Sequence, residues 1–451
     1  MMVTFRNLVT APNKVTVVLQ KIFGRDATEI AVGTLSAMTV KVLAIACIFL
    51  MNLVIVRQIG AAESGIFFLC LATASFLANI GRLGLDKSVV RFVSVANAGE
   101  DRGSVHPIHR KALVWGASCC IVIGILLFIF RSSICEVVFD KPFLEPVLAL
   151  MAFAIPLVGI YTLHASSLQG LKEIVLAMAT LSLLVPLVTL VALLFFGASD
   201  AAETAGIYLT ACVVTVCFGC FWWYRATPRG PVSGVFSSAQ LRRSCLPLWG
   251  AVFCNQIVAW SSLLLLGVWA STEEVGFFAI AQRTALLTSL VLIATNAITA
   301  PKLAVISAQE KPEELVRVAR LSVRFALAGA IPGLLLIIVW PHRLMGLFGA
   351  DFIGAVNALI ILAVGQFVNN ATGQVQGILS MSGNEVKVGQ NLAISAVVSL
   401  SLGFALIPYY GLIGAAIAQA ASVASQNILG VVQIKKIFGF NIMYFWRSHN
   451  Y

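Results

Sequence analysis

Apolar residues fall into runs of roughly 20 along almost the whole chain, and short polar or charged stretches separate one run from the next. A helix of this length crosses a hydrocarbon core of about 30 Å. Strand-type alternation of apolar and polar positions is absent. The pattern therefore predicts an all-α integral membrane protein. Its twelve candidate spans are 33–56, 65–85, 112–130, 147–168, 175–196, 206–224, 246–269, 275–300, 321–340, 353–379, 392–407 and 412–433.

A short motif recurs at half the chain length. The stretch IGAAESGIFF begins at Ile59, and a similar stretch, ASTEEVGFF, begins at Ala270. Their offset of 211 residues places Glu63 opposite Glu274, and it also places Ala72 opposite Arg283. Such a repeat is typical of transporters built from two similar halves. Because each half holds six spans, we expect two pseudo-symmetric six-helix lobes with the same orientation in the membrane.

The division into lobes follows from a basic stretch near the middle that contains two Pro and two Gly residues. We expect a cytoplasmic N-terminal segment at 1–32, an N-terminal lobe at 33–224 and a cytoplasmic linker at 225–243. The C-terminal lobe should occupy 244–437, and a cytoplasmic tail should follow at 438–451.

Composition agrees with a membrane location. The chain is 59% hydrophobic and 11% charged, with a mean hydropathy of +0.96, whereas soluble domains carry about 25% charged residues. Most of the ten cysteines lie inside the apolar runs, where they act as small apolar residues. We therefore predict no metal site and no cofactor.

The net charge of +11 reflects topology. With the N-terminus placed in the cytoplasm, 22 of the 30 Lys and Arg residues lie on that side, four lie on the other side and four lie within spans. This asymmetry predicts that both termini are cytoplasmic, with anionic membrane lipids as neighbours of the basic loops. Nucleic acid binding is not needed to explain the charge.

The charges predicted inside spans are all basic: Lys41, Arg82, Arg283 and Arg324. A charge in the membrane must reach the interface, find a partner or face water. We expect Arg82 and Arg324, near the ends of their spans, to reach the interface. Lys41 and Arg283 lie deeper. They either reach the interface too or face a water-filled cavity, where a phosphate or pyrophosphate is the natural partner.

The tenth span carries a stripe of amide side chains, Gln366, Asn370 and Gln374, at i, i+4 spacing. Two interpretations stay open: hydrogen bonds between packed helices, or the lining of a path for a hydroxyl-rich substrate such as an oligosaccharide. Asn255 and Trp260 in the seventh span offer similar polar groups.

One histidine lies in the fourth span, where Tyr161 and His164 form an i, i+3 pair. We interpret His164 as a packed hydrogen-bonding residue in preference to a proton carrier.

Several motifs identify the chain as similar to a known family. The stretches RQIG and ESGIF at 57–67, GLDKSVVRF at 84–92, EVGFF at 274–278, APK at 300–302 and YGLIGAA at 410–416 resemble those of bacterial polysaccharide and O-antigen flippases. Their superfamily also contains the lipid II flippase and multidrug and toxin extrusion transporters. The similarity extends over most of the chain, from 33 to 439.

The resemblance implies two six-helix lobes around a central cavity, alternating access and a polyprenyl-pyrophosphate-linked oligosaccharide as substrate. It further implies a bacterial inner-membrane location, a role in surface polysaccharide biosynthesis and polysaccharide polymerases as partners. Lys41, Arg283, Arg82, Asn255, Trp260, Gln366, Asn370 and Gln374 are the candidate substrate-binding residues.

The main alternative is a multidrug antiporter for cations on the same fold. Drug-exporting relatives typically hold a carboxylate inside the first lobe, and this chain has none in its spans, which favours an anionic substrate. A membrane glycosyltransferase or ligase would need positioned acid and base groups, and no such constellation is visible. We therefore expect a transporter and no enzyme.

Overall fold

Helices make up nearly all of the described chain, and no strand occurs in it. The computed structural model describes residues 25–99, 102–227, 238–309 and 312–440. The helices are α1 (Arg25–Gly81), α2 (Leu85–Ala98), α3 (Val105–Ser133), α4 (Glu145–Gly170), α5 (Ile174–Met178), α6 (Leu184–Phe196), α7 (Ala201–Ala226), α8 (Ser238–Trp269), α9 (Thr272–Leu286), α10 (Leu290–Ala308), α11 (Pro312–Val339), α12 (Pro341–Gly346), α13 (Val356–Thr372), α14 (Val375–Met381) and α15 (Glu385–Phe438).

Ten helical stretches of the described residues are long and apolar enough to cross a membrane. Two of them, of 44 and 54 residues, would extend for more than about 60 Å, which is twice a hydrocarbon core. Each is divided by a glycine in a conformation that other residues rarely adopt, Gly60 (φ 74°) in α1 and Gly411 (φ 48°) in α15. The ten stretches therefore correspond to twelve crossings, which confirms the predicted architecture.

Three predicted spans are less regular than their sequence pattern. The predicted continuous tenth span at 353–379 is wrong, because the helix breaks at Gly373 (φ 66°) between α13 and α14. The fifth span contains a π-helical turn, Ala179–Leu183, between α5 and α6. The eighth contains a 3₁₀ turn, Leu287–Ser289, between α9 and α10.

The predicted segments between and beyond the lobes fall partly outside the described residues, which omit 1–24, 228–237 and 441–451. Where described, they are largely helical. Residues 25–32 already belong to α1, 238–243 are the first turns of α8, and α15 ends at Phe438.

The repeated motif has the same structural role in both lobes. Glu63 Oε2 accepts a hydrogen bond from the backbone N of Ala201 at 2.9 Å, and Glu274 Oε1 accepts one from Leu412 N at 3.4 Å. Ala201 begins α7, and Leu412 follows the glycine that divides α15. The two acceptors and the two donors are each 211 residues apart. Each lobe thus uses its motif glutamate to cap the N-terminus of its last span, where anionic groups are stabilising.

We call the end of the molecule that carries Gly60, Lys141 and Gly411 the outer face, because the sequence predicts it to be external; the opposite end is the inner face. The lobes meet near the outer face through a reciprocal contact. A Cβ added at Gly65 would lie 1.8 Å from Thr272 O, and one added at Gly276 would lie 2.6 Å from Ala61 O. Small residues at i and i+4 allow this close approach of two helices, and the 211-residue offset relates the two halves of the contact.

The buried apolar clusters show where the lobes are joined. The largest cluster crosses from one lobe to the other and includes Phe67, Leu266 and Phe278. Two smaller clusters lie at the inner ends. One is built around Leu303 and Leu379 in the C-terminal lobe, and the other belongs mainly to the N-terminal lobe. The described residues thus share a core toward the outer face and separate cores toward the inner face.

Candidate substrate-binding site between the lobes

Arg283 lies on α9 of the C-terminal lobe, and its guanidinium reaches the N-terminal lobe. Its Cζ lies 4.0 Å from the centre of the Phe68 ring on α1, a cation–π geometry. The side chain is partly buried, and the buried Nη1 has no hydrogen-bond partner. Tyr208 on α7 is its electrostatic neighbour. An unpartnered guanidinium nitrogen between two lobes is a donor available to an anionic ligand.

Lys41 is exposed, on the inner half of α1. It lies on the same helical stripe as Ile55 and Ile59, which are buried nearer the outer face. Lys41 lies 19 residues before Gly60, which corresponds to about 28 Å of helix below the outer turn. Phe68 lies eight residues after Gly60, which corresponds to about 12 Å below the same turn. Lys41 and Arg283 therefore lie at different depths, roughly 16 Å apart along the helix direction.

Arg82 does not reach the interface, so that expectation is wrong. Its side chain is 8% exposed and donates to Asn79 Oδ1 inside the N-terminal lobe. Tyr161 and Cys120 are its electrostatic neighbours. The cause lies in the backbone: α1 ends at Gly81, but the chain bends at Leu83 and Gly84, both with positive φ, and continues as α2 toward the inner end of α4, where Val93 meets Gly170. The side chain is thereby enclosed by the lobe.

The amide stripe is bonded to the neighbouring spans of the C-terminal lobe. Gln366 Oε1 accepts from Ser289 Oγ at 3.1 Å, and Asn370 Nδ2 donates to Thr288 O at 3.3 Å. Gln374, which lies in the break between α13 and α14, accepts from Thr299 Oγ1 at 2.6 Å. These contacts correspond to the interhelical interpretation of the stripe. They do not place its amide groups beside Arg283.

The other two candidates lie on α8. Asn255 is exposed, whereas Trp260 is partly buried and donates through Nε1 to Gln256 Oε1 at 3.0 Å. Within the described residues, neither forms a hydrogen bond or a ring contact with Arg283. The structure therefore does not gather the eight predicted residues into one pocket.

Two residues of the site were missed at the sequence level, Phe68 and Tyr208. Phe68 belongs to the repeated motif, but nothing in a sequence indicates that a residue from the other half will stack on it. Tyr208 is one of few tyrosines inside an apolar span, and this polar group at membrane depth was the available signal.

Two basic side chains connect the lobes above the site. Arg57 Nε donates to Leu347 O at 2.8 Å, and Lys141 Nζ donates to Gly267 O at 2.8 Å. Both carbonyls lie at or just before helix C-termini, where backbone acceptors lack partners and cations are favoured. Together with the Gly65 and Gly276 contact, these bonds close the outer face.

Two proteins of Haloferax volcanii resemble the chain in sequence. The probable flippase AglR is 24% identical over 430 residues, covering 92% of this chain and 82% of AglR. The probable low-salt glycan biosynthesis flippase Agl15 is 28% identical over 175 residues. That match covers 38% of this chain and about a third (36%) of Agl15.

Solved structures show the same fold at low sequence identity. The lipid II flippase MurJ in an inward closed conformation matches with a TM-score of 0.71 and 13% identity, over 88% of this chain and 87% of MurJ. An inward-facing multidrug resistance transporter of the MATE family, within the MOP superfamily, matches with a TM-score of 0.70 and 15% identity, over 89% and 94% of the two chains. The fold is thus that of two-lobed membrane transporters.

A family model matches more than half of the chain. It describes polysaccharide biosynthesis proteins and matches residues 30–307, from α1 through most of α10. The matched region contains both copies of the repeated motif, Arg283, the Gly65 and Gly276 contact and the Lys141 bond to Gly267. The chain is therefore a membrane transporter of the flippase type that belongs to the polysaccharide biosynthesis protein family.

Proposed function

We propose that this protein moves a polyprenyl-pyrophosphate-linked oligosaccharide from the cytoplasmic to the periplasmic leaflet of the inner membrane. The observation that carries the proposal is Arg283, a guanidinium that crosses between the lobes, keeps a buried donor without a partner and has no carboxylate beside it among the described residues. A pyrophosphate supplies the acceptors that this group lacks. The protein acts as a transporter and catalyses no covalent step.

Lys41 and Arg283 act as two successive anion contacts along the path. Their separation of roughly 16 Å in depth exceeds the length of a pyrophosphate, so the headgroup meets Lys41 first from the inner face and Arg283 later. Alternating access requires that the outer contacts of Arg57, Lys141 and Gly65 open once the headgroup has reached Arg283. The termini and the basic loops lie in the cytoplasm, beside anionic lipids, and polysaccharide polymerases receive the product.

The test is transfer of a fluorescent polyprenyl-diphosphate disaccharide across proteoliposome membranes. We expect Arg283→Gln to lower the rate at least tenfold and Lys41→Gln several-fold. Arg283→Lys should be intermediate, because it keeps the charge but loses the planar donor set. Arg343→Gln is the matched control, since Arg343 is exposed on α12 at the outer face. Wild-type rates in both the Arg283→Gln and Lys41→Gln variants would overturn the anion path.

A second candidate is a multidrug antiporter for cations, because a multidrug transporter matches the fold almost as well as the lipid flippase does. It predicts that expression raises resistance to cationic drugs and that Arg283→Gln preserves this resistance. A basic group at the lobe interface repels cations, which is why the anionic glycolipid is the better match to this chain.

A further inference from the structure

A cavity of about 410 Å³ opens on the outer face, beside the contact that joins the lobes. Its volume lies within the range of roughly 300–1,000 Å³ that is typical of sites for small organic ligands. Connections of the N-terminal lobe form most of its wall, with Glu63, Phe143 and Asp200 among the lining residues, and Thr272 at the start of α9 adds the C-terminal lobe. Arg283 does not line it. The cavity is therefore a feature of both lobes that the anion path does not use.

Two carboxylates present acceptor oxygens to this cavity. Glu63 Oε2 accepts from the backbone N of Ala201, and Asp200 Oδ1 accepts from the backbone N of Glu203 at 2.7 Å. These bonds hold both groups at the N-terminus of α7, whose partial positive charge offsets part of their negative charge. Among the described residues, Glu63 Oε1 and Asp200 Oδ2 form no hydrogen bond or ion pair. Each side chain thus keeps one acceptor, in a fixed position, for a ligand.

An aromatic ring and smaller apolar side chains form the other wall. Phe143 lies in the 3₁₀ turn Pro142–Leu144, just before α4, and is 55% exposed. Pro146 and Val147 in the first turn of α4 line the cavity with it. A flat apolar ring binds the C–H face of a sugar, while carboxylates accept from the sugar hydroxyls. A diphosphate would be repelled by the carboxylates, so the cavity matches the uncharged sugars of a glycolipid.

The cavity lies directly above the proposed diphosphate contact. Glu63 and Phe68 are five residues apart on α1, or about 8 Å in depth, and the Arg283 guanidinium lies on the Phe68 ring. This depth is comparable with the length of a sugar unit. Gly65, between the two positions, packs on Thr272 O and closes the way from one to the other. Once this contact opens, the sugars attached to a diphosphate at Arg283 come within reach of the cavity.

We propose that the outer cavity is a binding site for the sugar headgroup of the transported glycolipid. The inference rests on the proposed function and adds the place where the glycan is held at release. Glu63 Oε1 and Asp200 Oδ2 accept from sugar hydroxyls, and the Phe143 ring covers the apolar face of one sugar. Because Thr272 completes the wall only while the lobes are closed, the sugar binds the closed form in preference to the open one. Bound glycan therefore favours closure and opposes return of the glycolipid.

The first experiment measures sugar binding without lipid or diphosphate. The probe is the free disaccharide that carries the two sugars of the fluorescent substrate, titrated onto the protein in nanodiscs and followed by saturation-transfer NMR. We expect Phe143→Leu and Asp200→Asn to raise the Kd at least fivefold. Asp200→Asn retains the helix cap, because Asn is as favourable as Asp at this position, but it exchanges the free acceptor for a donor.

Two matched controls lie outside the cavity at the outer face. Phe195 is 81% exposed at the end of α6, and Glu136 is also exposed. Phe195→Leu, Glu136→Gln and Arg283→Gln should all bind the disaccharide as the wild type does. No binding to the wild type, or a loss in Arg283→Gln without a loss in Phe143→Leu, would overturn the site. Binding of spermidine in place of the disaccharide would make the cavity a cation site and would also overturn it.

The second experiment measures the effect of bound sugar on transfer in proteoliposomes. Free disaccharide, added at saturation on the side of the outer face, should lower the rate of the wild type and of Phe195→Leu at least twofold. Phe143→Leu should keep its own rate. Binding without any effect on wild-type transfer would overturn the role in closure. Transfer without disaccharide binding would overturn the site and leave the flippase proposal intact. Binding without transfer under any condition would instead overturn the proposed function and leave the sugar site standing.

Discussion

At the scale of single residues, the two motif glutamates are structural acceptors. Each lies near the start of a helix at the outer face and accepts a backbone N–H from the first residues of the last span of its lobe. Both side chains are partly buried. The two glutamates have the same capping role in the two halves of the 211-residue repeat. This shared role explains why an acidic motif occurs in both halves without requiring any contact to a transported group.

Removal of these caps should cost stability in a graded way. We expect Glu63→Ala to lower the free energy of unfolding by about 1–2 kcal/mol, and Glu274→Ala by about 0.5–1 kcal/mol because its contact is longer. Glu136→Ala, at an exposed position of the outer face, should change it by less than about 0.5 kcal/mol. Unfolding in mixed micelles followed by circular dichroism measures all three. A larger loss at Glu136 than at Glu63 would contradict the capping role.

Lys141 makes closure of the outer face sensitive to alkaline pH. Burial of its ammonium beside Gly267 lowers the pKa of Lys141 from the ordinary 10.5, and the Asp140 carboxylate offsets part of this effect. When the outer face opens, the side chain regains water and its ordinary pKa. The open form therefore binds more protons in the interval just below pH 10.5, and closure should become more favourable as the pH rises through that interval.

The measurement is the distance between spin labels at Val137 and Tyr409, which are both 82% exposed at the outer ends of opposite lobes. In a cysteine-free background, the population with a short distance should grow as the pH is raised toward 10.5, the ordinary pKa of lysine. Lys141→Met should remove this dependence, and Arg343→Gln should preserve it. A pH response that survives in Lys141→Met would assign the effect to another group.

At the scale of elements, the break at Gly373 shows which part of the tenth span the sequence pattern predicts and which part it does not. The i, i+4 spacing correctly predicted that Gln366 and Asn370 share a helix face, and their bonds to the eighth span follow from it. The same spacing extended the helix through Gln374, where the chain leaves helical geometry. A glycine within an apolar run is compatible with a continuous helix or with a break. The choice between the two depends on packing, because a Cβ at Gly373 would meet Val323 at 2.5 Å.

The charges inside the spans show a second limit. Sequence position gives the depth of a basic residue along its span, and the count of spans follows from the same pattern. The sequence position does not give the direction in which the basic side chain points. Arg82 was expected at the interface and is enclosed by its own lobe, whereas Arg283 extends across the lobe boundary. The direction depends on the turn at Leu83 and on Phe68 from the opposite lobe, and both are long-range results of folding.

If Gln374 joins helices and does not contact substrate, its replacement should affect stability alone. Gln374→Leu leaves Thr299 and the carbonyl of Asn296 without this partner, and we expect a loss of about 0.6–1.7 kcal/mol in the free energy of unfolding. The relative transfer rates of two different sugar headgroups should stay unchanged in proteoliposomes. Asn357→Leu, at an exposed position of α13, is the control. A change in headgroup preference would instead support the substrate-path interpretation of the amide stripe.

At the scale of the whole molecule, two related halves meet about a pseudo-two-fold axis near the outer face. The contact is reciprocal: Gly65 packs on the carbonyl of Thr272, and Gly276 packs on the carbonyl of Ala61. Arg57 and Lys141 add bonds that have no repeat-related counterpart, because the positions 211 residues later hold Val268 and Phe352, whose side chains cannot donate. The symmetric contact of Gly65 and Gly276 determines where the lobes meet. The bonds of Arg57 and Lys141 add to the stability of that closed arrangement.

This arrangement makes Gly65 the position where a single methyl group should open the outer face. Gly65→Ala introduces a carbon 1.8 Å from Thr272 O, and Gly276→Ala introduces one 2.6 Å from Ala61 O. Both oxygens belong to backbone, so the helices must separate. We expect a longer distance between labels at Val137 and Tyr409 in both variants, with the greater increase for Gly65→Ala. Gly206→Ala is the control, because its added carbon meets nothing within 4 Å. If Gly65→Ala kept the wild-type distance, the outer contact would not be what holds the lobes closed, and closure would have to depend on Arg57 and Lys141 alone.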